Sequence, residues 1–316
     1  MKITAFLFCI FCFLEVFSQT DIEQKTFTYK VAGKLPIELD FFQKKNDKEL
    51  QPVVIWIHGG ALIAGSRKDI PEEQKNFYIN AGYSIASIDY RLAPETKLPA
   101  IIGDLRDAVQ WVRQNSVKLL NIDSTKIFVV GHSGGGYLAL MTGYVLQHPP
   151  NAIISFYGYG DIRGDWYSKP DSFYLTAPRV TEDRVRQLER DTAIASAPWE
   201  TRGDIYLYSR QTGKWPLMVG GHDPFKEASW FTQYCPLNNI RISYSPVLLI
   251  HGDKDTDVPF EQSVLMDREL TSKNIKHKFI RIKDGQHGFE HAEGAFDTPE
   301  VQRLFADVIK FFKENE

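Results

Sequence analysis

Cysteine is scarce in this sequence of 316 residues, which contains only Cys9, Cys12 and Cys235. The first two lie in an apolar N-terminal stretch, so a chain that loses this stretch keeps one cysteine and cannot form an intrachain disulfide. An excess of one charge is also missing, because the net charge is only -3. The charge balance therefore gives no indication of nucleic-acid binding. Internal repeats and low-complexity runs are absent as well, and the composition is that of an ordinary globular protein.

The apolar run from Ile3 to Leu14 is too short for a comfortable transmembrane helix, which needs about 20 residues. It follows Lys2 and precedes small or tolerated residues that end at Ser18. A positive residue, a short apolar core and a cleavage position predict a secretory signal peptide over residues 1–18. We therefore expect a secreted or periplasmic protein with no stable membrane span after cleavage. An uncleaved N-terminal membrane anchor is the alternative.

A glycine-rich motif, G-x-S-x-G, occupies residues 131–135, with Ser133 at its centre. A β-branched apolar run precedes it and a helix-like segment follows. Such a strand, tight turn and helix can hold a serine hydroxyl clear of the sheet, where glycines allow close backbone approach. The N–H of Gly134 then points to the same place at the positive end of the helix. The motif predicts Ser133 as a nucleophile, and a glycine-rich turn with an ordinary N-cap serine is the alternative.

A second motif, HGGA at residues 58–61, directly follows the continuous apolar run 53–57, which is typical of a buried strand. Serine hydrolases build an oxyanion hole from the backbone N–H groups of such a loop and the N–H after the nucleophile. We expect the donors to be Gly60 and Ala61, with Gly134 as the third. His58 is expected to brace the loop rather than to transfer protons. A generic glycine turn is the alternative.

Two further loops carry the residue types that a serine nucleophile requires. The segment HGDKDTDVP at 251–259 follows an apolar run, and DGQHGF at 284–289 follows the last predicted strand. An imidazole can accept the serine proton near neutral pH, and a carboxylate fixes the imidazole tautomer. The two loops are therefore expected to supply an acid and a base.

The chain contains HGGA, then DYRLAPE at 89–95, then G-x-S-x-G. In this order and spacing, the three motifs resemble the esterase/lipase branch of the α/β-hydrolase superfamily, which is related to hormone-sensitive lipase. The tight turn that carries Ser133, called the serine elbow below, has the sequence His132-Ser133-Gly134, whereas that branch usually has Asp-Ser-Ala. In this respect the sequence is more similar to acetyl, feruloyl and prolyl-oligopeptidase-type hydrolases. The resemblance implies a structural role for the Asp-Tyr-Arg segment at 89–91.

The resemblance also implies which residues complete the triad. Matched to the acid loop of the family, HGxxDxxVP, the triad acid falls on Asp255. Asp253 and Asp257 are competing candidates, and Asp257 is alternatively the N-cap of a helix that begins near Phe260.

The base falls on His287, in a glycine-flanked loop after the final strand, where the family places its histidine. His291 is the alternative, but it lacks the flanking glycines. The resulting order of Ser133, Asp255 and His287 is the one found in α/β-hydrolases.

The predicted fold is a single α/β-hydrolase domain over residues 19–316, with a mostly parallel sheet flanked by helices. The regular succession of apolar, strand-like segments is interrupted between about 158 and 245, a stretch that contains four of the six tryptophans. We predict that this stretch is an inserted cap, with a helix from Thr181 to Ala197. Its aromatic residues are expected either to line a substrate pocket or to form a small core within the cap. Another predicted helix, from Ile101 to Leu120, covers the sheet.

The predicted function is a secreted serine hydrolase that cleaves carboxylic esters through an acyl-enzyme. Export and the aromatic cap suggest a small acyl group, acetyl or feruloyl, on a carbohydrate. A prolyl-oligopeptidase-like serine peptidase and a catalytically silent binding protein of the same fold are the alternatives. We expect no cofactor or metal, because the chemistry needs neither. His222 and Asp223 are expected to form a turn rather than a metal site.

Overall fold

The structure is a computed structural model that describes residues 22–45 and 49–316. The predicted signal peptide lies outside these residues. Within them, no helix combines the length and apolar character that a membrane span requires. The strands of the described chain are β1 Ile22–Ala32, β2 Leu35–Lys44, β3 Gln51–Ile57, β4 Ser84–Ile88, β5 Ile122–His132, β6 Ala152–Phe156, β7 Val247–Gly252 and β8 His277–Ile282.

These strands form one sheet in the order β1-β2-β4-β3-β5-β6-β7-β8. The first two strands pair antiparallel with each other, and β2 pairs antiparallel with β4. All pairs from β4 through β3 to β8 are parallel. The carboxyl ends of six neighbouring strands therefore lie at one edge of the sheet, where open α/β sheets bind their ligands.

Helices cover both faces of the sheet. Their bounds are α1 Glu72–Asn80, α2 Leu98–Gln114, α3 Gly134–Val145, α4 Asp165–Ser168, α5 Glu182–Leu188, α6 Trp199–Thr212, α7 Trp215–Gly220, α8 Ala228–Thr232, α9 Glu261–Ser272 and α10 Pro299–Lys313. Side chains of α2, α3 and α9 belong to the core on one face, and those of α1 and α10 belong to the core on the other.

Strand β3 shows why its sequence is apolar throughout. Val53, Ile55 and Ile57 point into the first core, whereas Val54 and Trp56 point into the second. Because successive side chains of a strand alternate between faces, a strand covered on both sides needs apolar residues at every position. The predicted mostly parallel sheet with helices on both faces is confirmed.

Two predicted helices are shorter in the structure. The helix from Thr181 begins as predicted, with Thr181 as its N-cap, but it ends at Leu188 instead of Ala197. The residues that follow bond to core loops, because the carbonyl of Ile194 accepts the N–H of Leu92 and Ala197 pairs with Gly65.

The covering helix ends at Gln114 instead of Leu120. The side chain of Asn115 donates to the carbonyl of Trp111 at 2.8 Å, which satisfies a backbone acceptor at the helix end. A single turn of π-helix, Ser116–Leu120, then leads into β5.

Candidate active site

The sequence motifs come together at the carboxyl edge of the parallel strands. HGGA follows β3, the Asp-Tyr-Arg segment follows β4, and Ser133 follows β5. Asp255 and His287 lie in the loops after β7 and β8. Ser133 and His287, which are 154 positions apart, therefore meet because each one follows a strand of the same sheet.

Ser133 lies at a strained turn between β5 and α3, with φ 54° and ψ -119°. Its N–H donates to the carbonyl of Phe156 at 2.9 Å, and its own carbonyl accepts the N–H of Tyr137 at 3.0 Å. The flanking glycines are required by packing, because a Cβ on Gly135 would lie 2.2 Å from the carbonyl oxygen of Ile57. The surrounding backbone thus holds Ser133 in a conformation that costs about 1–3 kcal/mol for a residue with a side chain.

His287 connects Ser133 to Asp255. Its Nε2 lies 3.0 Å from the Oγ of Ser133, and its Nδ1 lies 2.7 Å from an Oδ2 of Asp255. The other carboxylate oxygen of Asp255 accepts the backbone N–H groups of Asp257 and Val258 at 2.8 and 2.9 Å. The carboxylate is therefore fixed by its own loop, and it orients the ring of His287 towards the serine.

The pKa values of Asp255 and His287 are shifted in opposite directions. Burial raises the pKa of Asp255, but hydrogen bonds from His251 and His287 outweigh burial and hold the pKa well below its ordinary range. Burial lowers the pKa of His287, but the carboxylates of Asp257 and Asp255 outweigh it and raise the pKa above its ordinary value. Asp255 is therefore ionised at neutral pH, and it stabilises the protonated form of His287.

The competing candidates have other partners. Asp253 pairs with Arg281 and accepts the N–H of Asp284, away from the imidazole. The Oδ1 of Asp257 accepts the hydroxyl of Tyr174 at 2.6 Å, and a hydroxyl of Tyr206 also donates to it.

The suggested N-cap role of Asp257 is wrong, because the N-cap of α9 is Phe260 and no side chain caps this helix. His291 does not meet the aspartate loop. It lies 3.4 Å from Glu290 instead.

The HGGA loop carries three successive residues in the left-handed region, namely Gly60 at φ 90°, Ala61 at 54° and Leu62 at 63°. A Cβ on Gly134 would lie 3.1 Å from the backbone nitrogens of both Ala61 and Leu62, so the loop and the start of α3 are in close contact. Gly60 and Ala61 line the same cavity as Ser133. The residues predicted as donors therefore lie beside Ser133, and Leu62 is a neighbour that the motif did not single out.

Buried polar contacts brace this loop. The ring of His58 stacks on Tyr90 with centroids 4.2 Å apart, and the Tyr90 hydroxyl donates to the carbonyl of His58 at 3.1 Å. Burial lowers the pKa of His58 to about 4, so its ring is neutral at neutral pH. Asp89 accepts the N–H of Arg67 at 2.7 Å, and Arg91 forms a bidentate pair with Asp104.

A cavity of about 280 Å³ opens above Ser133 and His287. Of the cap aromatics, Trp199 and Tyr206 line it, and Tyr157 of the sheet edge contributes a third ring. Other cap aromatics pack inside the cap, as Trp215 does by stacking on Tyr167 with ring centroids 4.1 Å apart. The cap thus supplies both a small core of its own and part of the cavity wall.

Sequence reasoning did not identify two cap residues that hold the HGGA loop. Trp215 donates its indole N–H to the carbonyl of Ala61 at 3.1 Å. Arg202 donates to the carbonyl of Ile63 at 2.8 Å and forms a buried ion pair with Glu95 of the DYRLAPE segment. The glutamate of that motif was the available signal, because a buried carboxylate requires a cationic partner.

Two residues outside the cavity, Cys235 and His222, have structural surroundings. Cys235 is buried, and burial raises the pKa of its thiol to about 12, so it is a packed residue. His222 contacts Glu227 at 2.8 Å and stacks on Trp230, within a turn that follows α7.

Two family profiles match different parts of the chain. The BD-FAE family matches residues 39–167, which include β3, the HGGA loop and the serine elbow. The prolyl oligopeptidase family matches residues 199–315, which include the Asp255 and His287 loops.

Among curated proteins, the non-reducing polyketide synthase Preu6 of Preussia isomera is 28% identical over 308 residues, covering 87% of this chain. The chain spans only 14% of the length of that synthase. The match therefore concerns one region of a much longer protein.

Solved structures show the same fold. An α/β-hydrolase superfamily protein from Enterococcus faecalis has a TM-score of 0.71 at 22% identity, covering 92% of this chain and 99% of its own. A truncated carbohydrate esterase from gut microbiota has a TM-score of 0.67 at 23% identity, covering 94% of this chain and 98% of its own. With its mostly parallel sheet and its serine elbow, the chain has the α/β-hydrolase fold, and separate parts of it are similar to the BD-FAE and prolyl oligopeptidase families.

Proposed function

We propose that this protein is a serine hydrolase that cleaves carboxylic esters through an acyl-enzyme. The observation that carries the proposal is the continuous contact from Asp255 through His287 to Ser133, at 2.7 and 3.0 Å. These three side chains have the arrangement of a serine hydrolase triad, and two of them, Ser133 and His287, line a cavity.

The geometry supports a two-step reaction. The Oγ of Ser133 attacks the ester carbonyl carbon while its proton passes to the Nε2 of His287. The backbone N–H groups of Gly60, Ala61 and Gly134 stabilise the oxyanion, and by analogy with measured side-chain donors each is worth about 10²–10³ in rate. The carbon–oxygen bond to the alcohol breaks as His287 returns the proton to the leaving oxygen. Water then adds to the acyl-enzyme by the same route and releases the carboxylic acid and free Ser133.

The dimensions and lining of the cavity support a small acyl ester as the substrate. Its volume of about 280 Å³ lies near the lower end of small-molecule sites, which begin at about 300 Å³. Trp199, Tyr206 and Tyr157 offer flat apolar surfaces on which a sugar or an aromatic acid can stack. We therefore propose an acetyl or feruloyl ester of a carbohydrate.

The test is hydrolysis of p-nitrophenyl esters of increasing acyl length, with an acetylated oligosaccharide alongside and Ser133→Ala as the control. Activity that is highest on short esters and is lost in Ser133→Ala is the expected result. Activity that survives in Ser133→Ala would mean that Ser133 is not the nucleophile. An inert acetylated oligosaccharide combined with rapid turnover of long-chain esters would overturn the carbohydrate substrate but not the serine mechanism.

A serine peptidase is the second candidate, because the prolyl oligopeptidase family matches residues 199–315. The two candidates share the triad and differ in the leaving group, which is an amine in place of an alcohol. Peptide anilides with proline before the scissile bond distinguish them. Hydrolysis of these anilides by a folded protein that is inert on every ester would favour the peptidase.

We also propose that the protein is exported by way of its N-terminal segment. The support is the signal-peptide pattern of residues 1–18. Mass spectrometry of the protein recovered from the producing cells is expected to find a mature chain that begins at Gln19. An intact N-terminus in the membrane fraction would point to an uncleaved anchor.

A further inference from the structure

Three side chains beside the nucleophile form a cluster that ester hydrolysis does not use. His132 directly precedes Ser133, whereas Glu290 and His291 lie in a short 3-10 helix, Phe289–His291, after the His287 loop. The Nε2 atoms of the two histidines each lie 3.4 Å from the Oε1 of Glu290. One ligand atom from each of the three residues lies within 4.8 Å of the others.

A hydrogen-bond chain fixes the tautomer of His132. The indole N–H of Trp56 donates to the Oε1 of Gln74 at 3.1 Å, so the amide nitrogen of Gln74 faces the Nε2 of His132 at 3.3 Å. An indole nitrogen is only a donor and an amide nitrogen is only a donor, so the Nε2 of His132 is an acceptor. The single lone pair of Nε2 accepts this amide hydrogen, so a cation that binds Nε2 takes the place of the hydrogen bond from Gln74. Because the neutral Nε2 carries no hydrogen, it offers no hydrogen bond to the oxygen of Glu290, which lies 3.4 Å away.

The carboxylate itself lacks a compensating charge. The side chain of Glu290 is fully buried, and its Oε2 has no hydrogen-bond partner. Its Oε1 accepts the hydroxyl of Tyr157 at 2.5 Å, which is a neutral donor. In the described part of the chain, no lysine or arginine forms an ion pair with Glu290. An isolated buried carboxylate is costly, and metal coordination is one of the ways in which proteins compensate it.

We propose that His132, Glu290 and His291 bind a divalent cation of the Zn²⁺ class beside the catalytic serine. Two imidazoles and a carboxylate form a donor set that zinc prefers. Tetrahedral zinc with bonds of about 2.0–2.2 Å places neighbouring ligand atoms about 3.3–3.6 Å apart. The two contacts of 3.4 Å to Glu290 match this separation.

The site is accessible from the substrate cavity. His132 and His291 both line the cavity that contains Ser133, and the side chain of His291 is 39% exposed. The cavity therefore gives a cation from solvent access to the cluster. A bound cation joins the end of β5, which carries the nucleophile, to the loop that carries the base. Occupancy is expected to stabilise the folded protein, because the ligands are brought together only in the folded state.

The test is a titration of the chelator-treated full-length protein with Zn²⁺, followed by calorimetry and by thermal unfolding. We expect one ion per chain and a higher Tm on binding. Co²⁺ provides a second readout, since tetrahedral Co²⁺ with nitrogen and oxygen ligands gives intense visible absorption. Binding is expected to persist in Ser133→Ala, because Ser133 is not a ligand. The result is therefore independent of whether the protein hydrolyses esters.

Two variants locate the ion. His291→Ala alters a half-exposed side chain and is expected to weaken Zn²⁺ binding by at least about tenfold, since even indirect partners of metal ligands are worth about 10–100-fold. His148→Ala, an exposed histidine away from the cavity, is the matched control and is expected to bind as the wild type does.

The proposal is overturned if the wild type binds no stoichiometric Zn²⁺ at millimolar concentration. That result would leave protonation of Glu290 as the way in which the burial of its carboxyl group is compensated. It is equally overturned if His291→Ala and Glu290→Gln bind Zn²⁺ as tightly as the wild type, because the ion would then lie elsewhere.

Discussion

Asp257 places its Oδ2 3.4 Å from the Nε2 of His287, the same nitrogen that contacts Ser133 at 3.0 Å. The Nδ1 on the other side of the ring donates to Asp255, so the imidazole lies between two carboxylates. In the neutral ring, Nε2 carries no hydrogen and offers none to the oxygen of Asp257. Once the ring takes a proton from serine, the same contact becomes attractive. Asp257 therefore favours the imidazolium that forms during the reaction.

Asp257→Asn is expected to shift the acid limb of kcat/KM to lower pH. His287 must be neutral to accept the serine proton, so activity is lost as the pH falls through its pKa. The Asp257 carboxylate raises that pKa, and its removal lowers it. The variant therefore keeps a larger share of its maximal activity in acid than the wild type does. The measurement is a pH profile of kcat/KM on a short ester.

Asp253→Asn is the matched control for that profile, because Asp253 is in the same loop but pairs with Arg281. Its acid limb is expected to match that of the wild type. An acid limb that stays in place in Asp257→Asn would show that this carboxylate does not act on His287.

Asp255→Asn is expected to reduce kcat by roughly 10⁴, as the corresponding change does in serine proteases, with a smaller effect on KM. Asparagine can present its N–H₂ to the Nδ1 of His287, which then acts as an acceptor and leaves the proton on the wrong nitrogen. Steady-state kinetics of Asp255→Asn and Asp257→Asn on one substrate test the assignment. A larger loss of kcat in Asp257→Asn than in Asp255→Asn would mean that Asp257, and not Asp255, is the triad acid.

Arg202→Met is expected to lower the free energy of unfolding by roughly 3–5 kcal/mol, because it leaves a buried carboxylate on Glu95 without its partner. The side chains of this pair are 3% and 2% exposed. Combining Arg202→Met with Glu95→Gln is expected to recover part of the loss, since no charge then stays buried. Urea denaturation of the single and double variants measures the coupling free energy between Arg202 and Glu95.

Arg184→Met offers a matched control on a neighbouring cap helix. Arg184 pairs with Asp204, but both side chains are about half exposed, at 50% and 42%. Exposed pairs contribute roughly 0–1 kcal/mol, so a small change is expected. If Arg184→Met and Arg202→Met lowered the free energy of unfolding equally, burial of the Arg202–Glu95 pair would not be the cause of the loss.

Trp199→Ala is expected to raise KM by up to about tenfold with little change in kcat, because a stacking surface contributes about 0.5–1.5 kcal/mol in the ground state and the transition state alike. Trp199 lines the cavity and is 47% exposed, so its replacement leaves the core intact. Phe225→Ala, at an exposed cap position outside the cavity, is the control. A fall in kcat with unchanged KM would mean that Trp199 acts on the chemistry instead.

The local sequence was sufficient for the elements that carry the nucleophile. Glycines at 131, 134 and 135 and a β-branched run predict a strand, a tight turn and a helix, and the structure has β5, Ser133 at positive φ and α3. It was insufficient in the cap, where the helix from Thr181 ends early. Helical period depends on neighbours in sequence, whereas the residues after Leu188 are held by hydrogen bonds to distant core loops.

The sequence by itself determined the order of strands and loops, and hence that Ser133, an aspartate and a histidine meet at one edge of the sheet. The reason is physical, because parallel strands end at a common edge wherever their loops lead. The resemblance pointed to Asp255, but only the tertiary structure shows which of three aspartates contacts the Nδ1 of His287, since Asp253, Asp255 and Asp257 share one loop and differ in where its backbone turns them. It also decided the pairing of Arg202 with Glu95 over 107 residues, because the packing of the cap against the sheet, which no local pattern encodes, brings these charges together.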